Sequence, residues 1–245
     1  MTITVLEDSD GVARALARRI TDALRKKPDL VLGLATGRTP VDAYAQLRRM
    51  HQEDDGDWSR ASTFNLDEFA GIDASHPGSF RQFMQHHLFD GVNLDPSRIH
   101  FLNGAAADLD AECDRYEEAI HQAGGIDLQV LGIGSNGHIG FNEPGDELLA
   151  RTHRVRLQPS TRRDNASLFG DDPSHVPAEA LSMGIGTILR ARRIVLVATG
   201  AKKADCIART VNGRIATRVP ASVLQVHPDV EILLDRAAAA QVGRT

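Results

Sequence analysis

His138 is the residue whose type and surroundings point most directly to chemistry. An imidazole titrates near neutral pH and can carry a proton in either direction. It lies in the run Gly132-Ile133-Gly134-Ser135-Asn136-Gly137-His138-Ile139-Gly140-Phe141-Asn142-Glu143-Pro144-Gly145. That run is Gly-rich and off any apolar stripe, so a core histidine does not fit. Glu143 is close enough in the chain to orient the imidazole, as a carboxylate does in catalytic triads. Asp67, in Phe64-Asn65-Leu66-Asp67-Glu68, reads either as a general base at the end of a strand or as a turn-former.

A second group of residues suits an anion. Thr36-Gly37-Arg38-Thr39-Pro40 offers two hydroxyls, a glycine and free N–H groups at the start of a helix. Taken alone, an ordinary turn with Thr39 as helix cap is the simpler reading of the same residues. Lys203 lies near the start of a later helix, where it meets the same anion or stays a solvated lysine. No metal-ligand spacing accompanies these residues: there is no His-Glu-x-x-His, and Cys113 and Cys206 are remote. His86, His87 and His100 carry no motif and read as surface or strand residues.

These groups need a scaffold that brings them to one edge. Val12, Leu16, Ile20 and Leu24 recur every fourth residue, an amphipathic helix that Pro28 stops. The apolar run from Leu30 to Leu34 reads as a buried strand, and Thr39-Pro40 opens the next helix. Further strands are expected at 62–65, 99–102, 128–133, 194–198 and 230–234, with a short one around Val155. Asp108 caps a helix whose apolar face is Leu109, Cys113, Tyr116 and Ile120, and a later helix turns Ala204 and Ile207 inward. Such alternation predicts an α/β fold, a mostly parallel sheet with helices on both faces. Ligands then bind at the carboxyl ends of the strands, where all the segments named above fall. The irregular stretch 140–177 reads as a lid or binding loop.

With 245 residues, the length fits one large α/β domain or two small ones, and 42% apolar residues suffice for a sizeable core. The formal net charge is -5 and no dense Lys/Arg block stands out, so no nucleic-acid face is expected. No apolar stretch approaches a membrane span and the first residues lack a signal-peptide pattern, so the cytoplasm is the expected compartment. The two cysteines read as reduced thiols.

Taken together, Leu32 to Pro40, Phe64 to Glu68, Leu102-Asn103-Gly104, Gly132 to Gly145 and Gly200 to Ala204 resemble the glucosamine-6-phosphate deaminase family. The run Gly-His-Ile-Gly-Phe-Asn-Glu-Pro is the specific part, and Phe-Asn-Leu-Asp-Glu adds to it. The resemblance spans most of the chain in the family's order. It implies a single domain over 1–245, a Rossmann-like three-layer sandwich. It also implies conversion of glucosamine 6-phosphate and water to fructose 6-phosphate and ammonia, with no redox cofactor and no catalytic metal. Carried over by position, His138 moves the ring-opening proton, Glu143 and Asn136 position and tune it, and Asp67 takes the C2 proton. Thr36, Gly37, Arg38, Thr39 and Lys203 form the phosphate site. The implied partner is a small sugar phosphate, with no nucleic acid and no membrane; self-association is left open.

The chain departs from the family pattern in three places. Asn136 stands where some members have Asp, so any proton relay rests on His138 and Glu143. The positions of an allosteric basic pair correspond to His153 and Val155, which argues against that regulation. Ser167, in Thr161-Arg162-Arg163-Asp164-Asn165-Ala166-Ser167, occupies the position of a phosphate-binding arginine. Arg38 stands where relatives carry a small residue and is expected to supply the missing charge, unless Arg162 or Arg163 does. Three other readings compete: a 6-phosphogluconolactonase, a deaminase of an isomeric amino-sugar phosphate such as the galacto form, and a non-catalytic phosphosugar sensor. Asp67 and Glu143 favour the deaminase over the lactonase, because lactone hydrolysis needs no carboxylate for enolisation.

Overall fold

A computed structural model describes residues 1–243. The chain runs β1 (Thr2–Leu6), α1 (Ser9–Lys26), β2 (Val31–Leu34), α2 (Arg38–Gln52), β3 (Ser62–Asn65), β4 (Asp67–Phe69), α3 (Phe80–His87) and β5 (Ile99–His100). It continues through α4 (Leu109–Gln122), β6 (Leu128–Leu131), β7 (His153–Arg156), α5 (Pro159–Asp164), β8 (Glu179–Ser182), α6 (Ile185–Leu189), β9 (Arg193–Ala198), α7 (Ala204–Asn212) and β10 (Val230–Asp235). Seven strands form one wholly parallel sheet in the order β1-β10-β9-β6-β2-β3-β5. Strand order reverses beside β2 and β6, so the loops after these strands open onto a crevice at their carboxyl ends.

Alternation along the central strands fills both faces. Leu32 and Leu34 join α1, α2 and α3 in one core, while Val31 faces the other, built with α4, α6 and α7. The α1 stripe is buried at Val12, Leu16, Ile20 and Leu24; each such side chain contributes roughly 1.5–3 kcal/mol. Asp8 caps α1 through Gly11 N–H, and Asp108 caps α4 through the N–H groups of Asp110 and Ala111. This is the expected three-layer arrangement. No helix among the described residues is long and apolar enough to cross a membrane.

Three features differ from the reading of the sequence. The edge strand β1 carries no strong apolar signal, and none of its five residues is fully buried. A second, antiparallel sheet of order β4-β8-β7 also differs from that reading, which expected only β7, as the short strand around Val155. It is made of strands of three and four residues, too short to show a period of two. The stretch 140–177 is therefore not one irregular loop: it contains β7 and α5, and it borders the crevice at Gly140 and Phe141 and again from Thr161 to Pro173.

Candidate active site

The crevice is a cavity of about 860 Å³. Of the nine expected site residues, Thr36, Gly37, Arg38, Thr39, Asp67, His138 and Lys203 line it. Asn136 and Glu143 do not reach its wall; they stand behind His138 and hold it.

At one end the backbone of α2 begins. Gly37, not Thr39, is the residue before the helix, and Thr39 lies within its first turn. The reason is local: the chain enters the helix through φ +111 at Gly37, a conformation open to glycine. Gly37 has no side chain to cap the helix, and the N–H groups of Arg38 and Thr39 find no protein acceptor among the described residues. They remain available to an anion at the positive end of a fifteen-residue helix. Lys203 enters from the turn after β9, donating to Ile133 O over 2.7 Å. Burial lowers its pKa; Cys206 and Asp164 act against that effect and Arg38 acts with it. Arg38 and Arg163 are exposed at the same wall, and neither has a carboxylate partner among the described residues. Arg162 is committed elsewhere, donating to Val176 O and Ser174 O over 3.0 Å each. Ser167 also lines the cavity.

At the other end lies the acid–base set. Asp67 opens β4, is 6% exposed, and its Oδ1 has no hydrogen-bond partner. Burial, reinforced by neighbouring Glu68, pushes its pKa up to about 8. Glu68 has a different task. It accepts from Phe69, Phe80 and Arg81 N–H and so closes the start of α3. Burial raises its pKa to about 6 despite those bonds.

His138 lies on the loop after β6. A Cβ at Gly134 would stand 2.3 Å from the imidazole, so only glycine leaves room for the ring. Asn136 Oδ1 accepts His138 N–H over 3.1 Å, and Asn136 Nδ2 donates to Glu143 Oε2 over 3.0 Å. His138 Nδ1 lies 3.5 Å from that same oxygen. Burial would raise the pKa of Glu143, but His138, Thr161 and Asn136 together hold it below its ordinary value. A carboxylate kept charged beside Nδ1 favours a proton on that nitrogen and leaves Nε2 as the exchanging atom.

Two residues outside the expected site set, Ser182 and the motif residue Asn142, join the halves. Ser182 pairs with Asp67 across the small sheet, and its Oγ accepts from Phe141 N over 3.0 Å. Asn142 Nδ2 donates to Ile139 O and to Met183 O, 2.8 Å each. At Gly140, φ is +56 and a Cβ would lie 3.0 Å from Ser182 Oγ and 3.7 Å from Asp67 Oδ2. The His138 loop thus passes directly over the Asp67 carboxylate. His87, expected at the surface or in a strand, reaches the cavity wall from the end of α3. Among the described residues no group of three or more His, Cys, Asp and Glu side chains is placed to hold a metal ion.

The family model described as glucosamine-6-phosphate isomerases/6-phosphogluconolactonase matches residues 7–232. The chain belongs to this family. Within the isomerase/lactonase family, its relatives include glucosamine-6-phosphate deaminase 2 of Bacillus subtilis, 48% identical over 98% of this chain and 96% of that protein. Glucosamine-6-phosphate deaminase 2 of Giardia intestinalis is 46% identical over 98% and 92%. The solved structure of a monomeric glucosamine-6-phosphate deaminase superposes with a TM-score of 0.95 at 43% identity, covering 98% of this chain and all of that one. The 6-phosphogluconolactonase of Trypanosoma cruzi, with a TM-score of 0.79 at 18% identity, shares the fold.

Proposed function

We propose that this chain converts glucosamine 6-phosphate and water to fructose 6-phosphate and ammonia. The observation that carries this reading is that a buried, unpartnered Asp67 shares one cavity with His138, which Glu143 backs, and that the cavity has cations at its other end. Relatives named as deaminases at 43–48% identity support the same reading.

The geometry divides the work. The phosphate sits on the α2 N–H groups with Arg38 and Lys203, which fixes one end of the substrate. His138 moves the proton between the anomeric hydroxyl and the ring oxygen, opening the ring. The C2 proton of the resulting aldehyde then passes to Asp67. A carboxylate with a pKa of about 8 is matched to removing and returning such a proton near neutral pH. The substrate's C2 ammonium brings positive charge toward Asp67 and favours its ionised form. Reprotonation at C1, addition of water at C2 and loss of ammonia complete the ketose. Two buried free thiols, Cys113 and Cys206, fit the cytoplasm as the place of this activity.

The test is a pair of assays on one preparation. Ammonia and fructose 6-phosphate should form in equal amounts from glucosamine 6-phosphate, while 6-phosphogluconolactone is turned over no faster than its spontaneous hydrolysis. Lactone turnover without ammonia release would reject the deaminase reading. A faster reaction with the galacto epimer would reassign the substrate.

A further inference from the structure

Glu143 is held from two separate elements. Asn136 and His138, its partners at Oε2, belong to its own loop. Its Oε1 accepts instead from Thr161 Oγ1, on α5. Thr161 is 2% exposed, and its carbonyl accepts from Asn165 Nδ2 over 2.9 Å, which ties its position to the turn that follows. The same short segment presents Arg163, Asp164 and Ser167 to the cavity, next to the anion-binding end.

We propose that Thr161 is a positioning residue that couples the seating of α5 to the acid–base strength of His138, through Glu143. The inference rests on reading His138 as the ring-opening acid–base, but the coupling does not depend on which sugar phosphate is bound. Each donor to a carboxylate stabilises its charge and weakens its pull on other protons. With Thr161 in place, the Glu143 carboxylate, 3.5 Å from His138 Nδ1, draws a proton on that ring nitrogen only moderately. With that hydroxyl withdrawn, Glu143 becomes the stronger acceptor, the imidazolium is stabilised, and His138 gives up its proton less readily. The other charged or titratable groups on this cavity are Asp67 from β4, Arg38 from α2, His87 from the end of α3, Lys203 from the turn after β9, Arg163 and Asp164 from α5 itself, and Asp171 just beyond it. A Thr161→Val substitution leaves all of them in place and removes one O–H.

The experiment follows the His138 imidazole by NMR across pH in the protein without substrate, assigned by comparison with His138→Gln. Thr161→Val should raise the midpoint by about half a pH unit or more. Thr161→Ser, which keeps the hydroxyl, should titrate like the parent. In the deaminase assay the acid limb of kcat/KM should move upward with Thr161→Val, with kcat falling more than KM rises. Should Thr161→Val not fold, Thr161→Ala removes the same hydroxyl with less crowding. An unmoved His138 midpoint in the hydroxyl-free variant overturns the proposal, as does a Thr161→Ser variant that shifts equally. Because the titration needs no substrate, its failure is distinguishable from failure of the deaminase reading.

Discussion

Asp67 keeps one carboxylate oxygen buried without a partner, an arrangement that costs stability. The sign follows from its pKa of about 8 in the folded chain against an ordinary value of 3.8. Between those values the native protein holds a proton that the unfolded chain has lost, so stability declines as pH rises through this window. Asp67→Asn has no such proton. Its melting temperature relative to the parent should therefore climb between pH 5 and pH 8, by roughly 2–4 °C for each kcal/mol relieved. The same variant should lose roughly a hundred- to ten-thousandfold in kcat with KM little changed. A melting difference independent of pH, or near-normal turnover, would show that Asp67 is an ordinary buried side chain. Arg38 is the other residue with a distinct forecast. It is exposed, without a carboxylate partner among the described residues, beside Lys203 and across a wall where Ser167 offers only a hydroxyl. Losing a charge-assisted contact costs about 1.5–3 kcal/mol. Arg38→Ala should accordingly raise KM about tenfold or more, and adding Ser167→Arg should restore part of it. Steady-state kinetics on both variants decide the matter, and an unchanged KM in Arg38→Ala refutes the role.

Elements with a clear period were legible in the sequence, and those fixed by distant pairing were not. The α1 stripe, the apolar runs of β2, β6, β9 and β10, and the Asp108 cap all carry local signals, and each forms within a residue or two of its expected bounds. In the small sheet only β7 carries one, around Val155; β4 and β8 carry none. Asp67–Phe69 is buried on both sides and pairs with Glu179–Ser182, more than a hundred residues away. That is also why Ser182 escaped notice: a serine in a short apolar run has no pattern until Phe141 N–H is found pointing at it. Met183 N donates to Leu66 O while Met183 O accepts from Asn142, so the end of β8 links the Asp67 strand to the histidine loop. Ser182→Ala would leave the Phe141 N–H buried and unpaired, a cost of about 1–3 kcal/mol. Thermal denaturation should register that loss, and kcat should fall more than KM changes, because the two halves of the acid–base set drift apart. If the melting temperature drops while kcat holds, the link supports only the fold.

At the scale of the molecule, the two sheets divide the cavity between them. The parallel sheet delivers the anion-binding loops after β2 and β9 and the histidine loop after β6, the placement expected of loops at the carboxyl ends of parallel strands. The antiparallel sheet delivers Asp67, and the segment between β7 and β8 closes the wall with Thr161 and residues 163–168. That segment contains a six-residue helix and a four-residue turn, and between its buried ends at Leu157 and Val176 only Thr161 and Ala166 are buried. Short elements with few buried contacts open locally at low cost. A bound sugar phosphate touches both sheets at once, so its binding energy is available to hold this segment down. Hydrogen exchange measured with and without saturating fructose 6-phosphate should show fast exchange over 159–173 in the free protein, slow exchange in β6 and β9 throughout, and protection of 159–173 on binding. The melting temperature should rise in the same titration. A rise in melting temperature with exchange over 159–173 unaltered would mean that the ligand is held by the parallel sheet alone, and that the segment is a fixed wall instead of a lid.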